Sequence, residues 1–153
     1  MCSAVICESR SGGGISLVKR AVVAARLEKL REYLQTLKSV QKNDLVRFKS
    51  DPFIHGAAER YLHLSIECLL DIGNHIIADR GYRKPETYGE ILQILAEKDV
   101  IPERLFRELE GMAAFRNVLV HDYLKLDLDK VYQVIKERLK YFEELAQLYA
   151  ELL

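Results

Sequence analysis

Arg116-Asn117-Val118-Leu119-Val120-His121-Asp122-Tyr123 is the stretch from which the fold is best worked out. It gathers a guanidinium, a carboxamide, an imidazole and a phenol within eight residues, with long apolar runs on both sides. On an α-helix each residue turns by about 100°. Asn117 and His121 therefore share a face, and Arg116 and Tyr123 nearly share another. Arg116 and His121 diverge by about 140° on a straight helix. Both act on one substrate only if the helix ends or bends near His121, or if they open into a cleft shared with another surface. The spacing points to a site at a helix end or a subunit interface.

The chain of 153 residues fits one domain with a real core. With 49% hydrophobic and 30% charged residues it has the balance of a soluble globular protein. Lys+Arg (23) equals Asp+Glu (23), which excludes a global basic field for non-specific nucleic-acid binding. Any RNA contact has to come from a local patch, or from one doubled by dimerisation. Cys2, Cys7 and Cys68 are odd in number and form no C-x-x-C, so a disulfide framework is not expected and a reducing cytoplasm is. No apolar run approaches a membrane span, so no membrane partner is expected. Residues 1–14, ending in Gly12-Gly13-Gly14, are expected to form a flexible tail, not a signal peptide, with the domain at 15–153.

The order of elements follows from periodicity. Val23, Leu27, Leu30, Leu34 and Leu37 mark one face of an amphipathic helix, and residues 39–50 read as a connection with a short helical piece. Asp51-Pro52 predicts a helix start and Gly81 its stop. Ala57, Tyr61, Leu64, Cys68, Ile72 and Ile76 form an apolar row, widened by Leu62, Ile66, Leu69, Leu70, Gly73 and Ile77, which places this helix centrally. Thr87 and Glu90 predict a capping box before a short helix. Pro102 opens a helix whose row Leu105, Leu109, Met112, Phe115 and Leu119 runs into the motif. Asp127 or Asp129 caps the last helix, along which Val131, Ile135, Phe142, Leu145, Tyr149 and Leu152 recur at helical spacing. No strand pattern competes. The expected fold is all-α: an antiparallel up-down bundle of four long helices plus one short one.

His63, Glu67, Asp71 and His75 recur every fourth residue along the central helix. They can be a solvated or hydrogen-bonded face. They can line the space opposite Arg116 and His121 and orient the imidazole. They are also metal-ligand types, but a carboxylate-bridged site needs Glu-x-x-His from facing helices. No second helix supplies it, and no metal or other cofactor is expected.

The motif, in the form RNVLVHDY, resembles the signature of the HEPN superfamily, and within it the HepT-like toxins, which are encoded beside a minimal nucleotidyltransferase antitoxin. Residues 65–79 are similar to the long second helix of that family, and residues 85–90 to the connection that follows. The likeness runs from about Leu27 to about Phe142. It implies a helical bundle, a homodimer, and RNA cleaved by paired Arg-x4-His motifs, here Arg116 and His121. It also implies that Tyr123 accepts AMP from the partner nucleotidyltransferase.

The chemistry of the residues is compatible with this. RNA cleavage needs a proton taken from a 2′-OH, a proton given to a 5′-oxygen, and stabilisation of a more negative phosphorane. Histidine titrates near neutrality, and arginine matches phosphate oxygens as a fork. Asn117 can hold the imidazole or contact phosphate, with Glu67 and Asp71 as supporting groups. Other roles stay open. Arg116 can pair with Glu67 or Asp71 in a structural salt bridge, and His121 can sit at a helix C-terminus as a favourable imidazolium. The chain would then be a non-catalytic helical module that binds a nucleotidyltransferase or a nucleotide.

Overall fold

Asp51 and Pro52 start the helix on which the others pack. The Asp51 carboxylate accepts from the Phe53 N–H at 2.9 Å, and Pro52 fills the first helical position, where an N–H has no intrahelical partner. At the other end Gly81 adopts the left-handed conformation at φ 69°, and the Tyr82 N–H returns to the Ile77 carbonyl at 3.0 Å. In the computed structural model this helix is α3 (Pro52–Arg80), preceded by α1 (Leu17–Gln41) and α2 (Leu45–Ser50). It is followed by α4 (Tyr88–Glu97), α5 (Glu103–Leu109), α6 (Met112–His121), a 3-10 turn (Tyr123–Lys125) and α7 (Leu128–Glu151). The structure describes residues 17–121 and 123–153, so the expected tail at 1–14 and the expected domain start at residue 15 lie outside the described residues.

The described residues form an all-α bundle without a strand. Contacts between helices fix their directions. Arg26 pairs with Asp71 while Tyr33 meets Tyr61, so α1 and α3 are antiparallel. Lys38 pairs with Glu143 at 3.0 Å and Gln41 donates to the Ile135 carbonyl at 2.9 Å, so α1 and α7 are antiparallel too. Arg104 with Glu144 and Arg138 with Glu108 set α5 against α7 in the same sense.

The core follows the expected stripes with one shift. Val23, Leu27, Leu30, Leu34 and Leu37 of α1 are all buried, as are Val131, Ile135, Phe142, Leu145 and Tyr149 of α7. On α3 the best-buried row is Ala58, Leu62, Ile66, Leu69, Gly73 and Ile76. Ala57, Tyr61, Leu64 and Cys68 are only half-buried. Helices α1, α2, α4, α6 and α7 all contact α3, so both sides of its apolar surface are used.

Two local expectations are corrected. The helix carrying Leu105 to Leu119 is not continuous. Glu110 at ψ 138° and Gly111 at φ 84° follow the type II turn pattern, whose third position calls for glycine, and the chain divides into α5 and α6. Three long helices of 25, 29 and 24 residues therefore remain, and this broken pair of 7 and 10 residues takes the fourth place. The Thr87–Glu90 box also forms differently. Thr87 caps α4 without a side-chain bond, and the Glu90 carboxylate accepts from the Glu86 N–H at 2.6 Å, one residue earlier. Asp127, not Asp129, caps α7.

Gly73 is where α3 comes closest to its neighbours. A Cβ there would lie 2.8 Å from Ile91 Cγ2 and 2.9 Å from the Tyr149 hydroxyl oxygen, both inside van der Waals contact. Overpacking of this kind costs about 1–3 kcal/mol. Gly73→Val should lower the midpoint of urea unfolding by a corresponding amount. An unchanged or higher midpoint would show that α4 and α7 yield at no cost.

Candidate active site

The turn at Gly111 restarts the helix five residues before Arg116 and thereby decides which way the motif faces. Ala113, Phe115 and Leu119 of α6 pack on the core. Arg116 faces α3, where its Nε donates to Oε1 of Glu67 and its Nη2 makes an ion-pair contact with the same oxygen. Its Nη1 donates to the Asn117 side-chain oxygen at 3.1 Å, and its guanidinium carbon lies 4.9 Å from the centre of the Tyr88 ring. One edge of the fork is thus occupied by a carboxylate and one face by an aromatic ring. The Arg116 side chain is only 14% exposed, so the surroundings determine its direction.

The energetics assign these contacts a positioning role. Two unit charges in contact attract by about 4–6 kcal/mol at an effective dielectric near 20. Taking both from water costs several kcal/mol per ion. The net gain is small, whereas the geometric constraint on a planar fork is large. The cation–π contact with Tyr88 adds about 0.5–2 kcal/mol and limits rotation out of plane.

The polar row of α3 is divided between two neighbouring helices. Glu67 takes Arg116 of α6, with His63 Nε2 at 3.4 Å from the same carboxylate oxygen. Asp71 is not brought to the motif: it pairs with Arg26 of α1, with His75 Nε2 at 3.7 Å. Among the described residues no three His, Cys, Asp or Glu side chains converge as a metal-ligand set. Nor does the row bond to His121 among the described residues. That histidine is the last residue of α6 and is exposed. The helix stays regular through the motif and stops there, so the divergence of Arg116 and His121 is retained. Asn117 is exposed beside them. The backbone of Tyr123 begins the 3-10 turn, and its side chain lies outside the described residues.

Tyr88 and Arg26 are site neighbours that sequence reasoning missed. Tyr88 is half-exposed at the first turn of α4, and no spacing along the chain relates it to Arg116. Arg26 lies off the apolar stripe of α1, and its pairing with Asp71 spans 45 positions.

A groove of about 540 Å³ lies elsewhere, between α5–α6 and α7, lined in part by Leu109, Phe115, Val118, Val134 and Phe142. Neither Arg116 nor His121 reaches it. The motif instead lies where α3, α4 and α6 meet, with Arg116 largely covered and Asn117 and His121 exposed. No described helix is long and apolar enough to cross a membrane.

Comparison with known proteins agrees with this architecture. YutE of Bacillus subtilis is 40% identical over 80 residues, which span 52% of this chain and 56% of YutE. The mRNA nuclease HepT of Shewanella oneidensis is 29% identical over 120 residues, 77% of this chain and 90% of that protein. The structure of the tri-AMPylated Shewanella oneidensis HEPN toxin in complex with MNT antitoxin superposes with a TM-score of 0.77 at 25% identity, covering 85% of this chain and 97% of the other. The family model described as ribonuclease HepT-like matches residues 27–148, from α1 to the last turns of α7, and so takes in every side chain placed around Arg116. This chain belongs to the ribonuclease HepT-like family.

Proposed function

We propose that this protein is the toxin of a toxin–antitoxin pair, a metal-independent endoribonuclease of the cytoplasm that works as a homodimer. The observation that carries the proposal is the Arg116 guanidinium. Glu67 and Asn117 hold it, Tyr88 backs it, and it lies on the same helix as an exposed histidine at the helix end. The contacts of Arg116 leave one hydrogen on each terminal nitrogen, which can meet two oxygens of one phosphate. His121 accepts the 2′-OH proton as the O2′–P bond forms and the P–O5′ bond breaks, and a second imidazole protonates the departing O5′. Because Arg116 and His121 diverge, two copies that share one cleft about a twofold axis supply both imidazoles and both guanidiniums. The names of the related HepT nuclease and HEPN toxin support the substrate class and the pairing with an antitoxin.

Tyr123 is the proposed acceptor of AMP. Its phenolic oxygen attacks the α-phosphorus of ATP, the Oη–P bond forms, pyrophosphate leaves, and the phenol proton passes to solvent. Catalysis of this step falls to a minimal nucleotidyltransferase partner. The adduct places negative phosphate and bulk next to the motif, where substrate phosphate must sit. The Shewanella toxin described as tri-AMPylated supports this assignment.

A second reading is favoured by the low exposure of Arg116 and its pairing with Glu67: a structural salt bridge in a non-catalytic module that binds the nucleotidyltransferase. The two readings differ in measurable ways. On the ribonuclease reading, the wild type runs as a dimer at micromolar concentration and cleaves RNA in chelator-treated buffer. Arg116→Ala and His121→Ala each slow cleavage by about 100-fold or more while melting within a few degrees of wild type. Wild-type rates in either variant, or full activity from a strict monomer, would refute it. Unfolding of Arg116→Ala would favour the salt bridge.

For the modification, incubation with the cognate nucleotidyltransferase, ATP and Mg²⁺ should add AMP mass to Tyr123 and stop cleavage. Tyr123→Phe should fold, cleave RNA and escape silencing. The same adduct on Tyr123→Phe in intact mass spectra would place the acceptor elsewhere.

A further inference from the structure

The polar row of α3 holds a second guanidinium one helical turn from the first. Arg26 pairs with Asp71, and Arg116 with Glu67. The two carboxylates are four residues apart on one helix face, a rise of about 6 Å. The two pairs are built differently. Arg116 uses its Nε and both terminal nitrogens on protein partners. Arg26 donates to Asp71 through Nε, and its two terminal nitrogens donate no hydrogen bond among the described residues. Asp71 therefore anchors the base of this guanidinium and leaves its outer fork to solvent, with the side chain 40% exposed.

Stability does not account for this arrangement. An exposed pair of this kind contributes about 0–1 kcal/mol. A fork presented outward by its own carboxylate is, however, the geometry that meets a phosphate in two parallel hydrogen bonds. The rise between the two anchoring carboxylates is also comparable to the step between successive phosphates of a nucleic-acid strand. The formal charge of the chain is zero, so an RNA strand has to be held by such placed cations and not by a general field.

We infer that Arg26 forms a second phosphate subsite, which binds the RNA phosphate next to the one held by Arg116. The inference rests on the ribonuclease reading above and adds a residue of α1 to a site otherwise built from α3, α4 and α6. Asp71 is the positioning residue of this subsite, and the strand runs along the α3 row from the α6 side to the α1 side.

The test compares a dinucleoside monophosphate with the same molecule bearing one added terminal phosphate. In wild type the added phosphate should lower KM about tenfold, the size of one hydrogen-bonded charge contact. In Arg26→Gln that gain should fall below about twofold. Arg26→Lys keeps the charge and a partner for Asp71 but loses the fork, so it should fold as wild type and recover only part of the gain. A parallel arm measures binding of a 2′-O-methylated oligoribonucleotide, which cannot be cleaved, against salt concentration. Loss of one phosphate contact should reduce the slope of log K against log salt by about 0.7. An unreduced KM gain and an unreduced slope in Arg26→Gln would overturn the subsite while leaving the nuclease intact. If wild type binds the oligonucleotide but cleaves nothing, a reduced slope in Arg26→Gln supports the subsite and removes the ribonuclease reading. If wild type neither binds nor cleaves RNA, both fall.

Discussion

The pairing of Arg116 with Glu67 ties the motif helix to the bundle. α6 is short and half-buried, with Met112 as its one buried residue among those described. Little apolar burial fixes its rotation, so the guanidinium–carboxylate contact and the Tyr88 ring fix which way it faces. The type II turn at Gly111 makes the contact reachable, because a continuous helix from α5 would carry Arg116 along a different axis. Backbone geometry at one glycine and charge geometry at one carboxylate together place the motif.

Much of the fold was legible because its signals are local. The Asp51-Pro52 start, the Gly81 stop and the stripes of α1 and α7 each depend on residues within a few turns of one another. What escaped was non-local or conformational. The break at Gly111 interrupts an apolar row that continues in register on both sides, so periodicity alone cannot reveal it. The capping box contained the expected residue types, but the loop before Tyr88 moved the Glu90 contact to the Glu86 N–H. Within the site, Glu67 was legible from the four-residue spacing of the α3 row. Tyr88 and Arg26 were not, since cation–π and ion-pair contacts between helices leave no spacing signature. Asp71 belonged to the same row as Glu67 but faces a different helix, a distinction that only the packing of α1 makes.

On the proposed ribonuclease reading, a chain of zero net charge has to concentrate RNA recognition in a few side chains. The α3 row pairs each of two guanidiniums, Arg116 and Arg26, with its own carboxylate, which fixes direction at the cost of part of the field. The proposed homodimer would double the number of such groups in one cleft without raising the charge of either copy. The expected consequence is a substrate site with strong geometric demands and weak long-range attraction.

The most direct measurement of this account is single-turnover RNA cleavage by Glu67→Gln and Glu67→Asp, with KM and melting temperature recorded for each. Glutamine keeps the shape but removes the charge that aligns Arg116, and misplacement of a phosphate-binding fork by about 1 Å costs up to about 100-fold in rate. The account predicts that kcat falls about 10- to 100-fold in Glu67→Gln, with partial recovery in Glu67→Asp and melting within a few degrees of wild type. A Glu67→Gln protein that melts normally and cleaves RNA at the wild-type rate would contradict it.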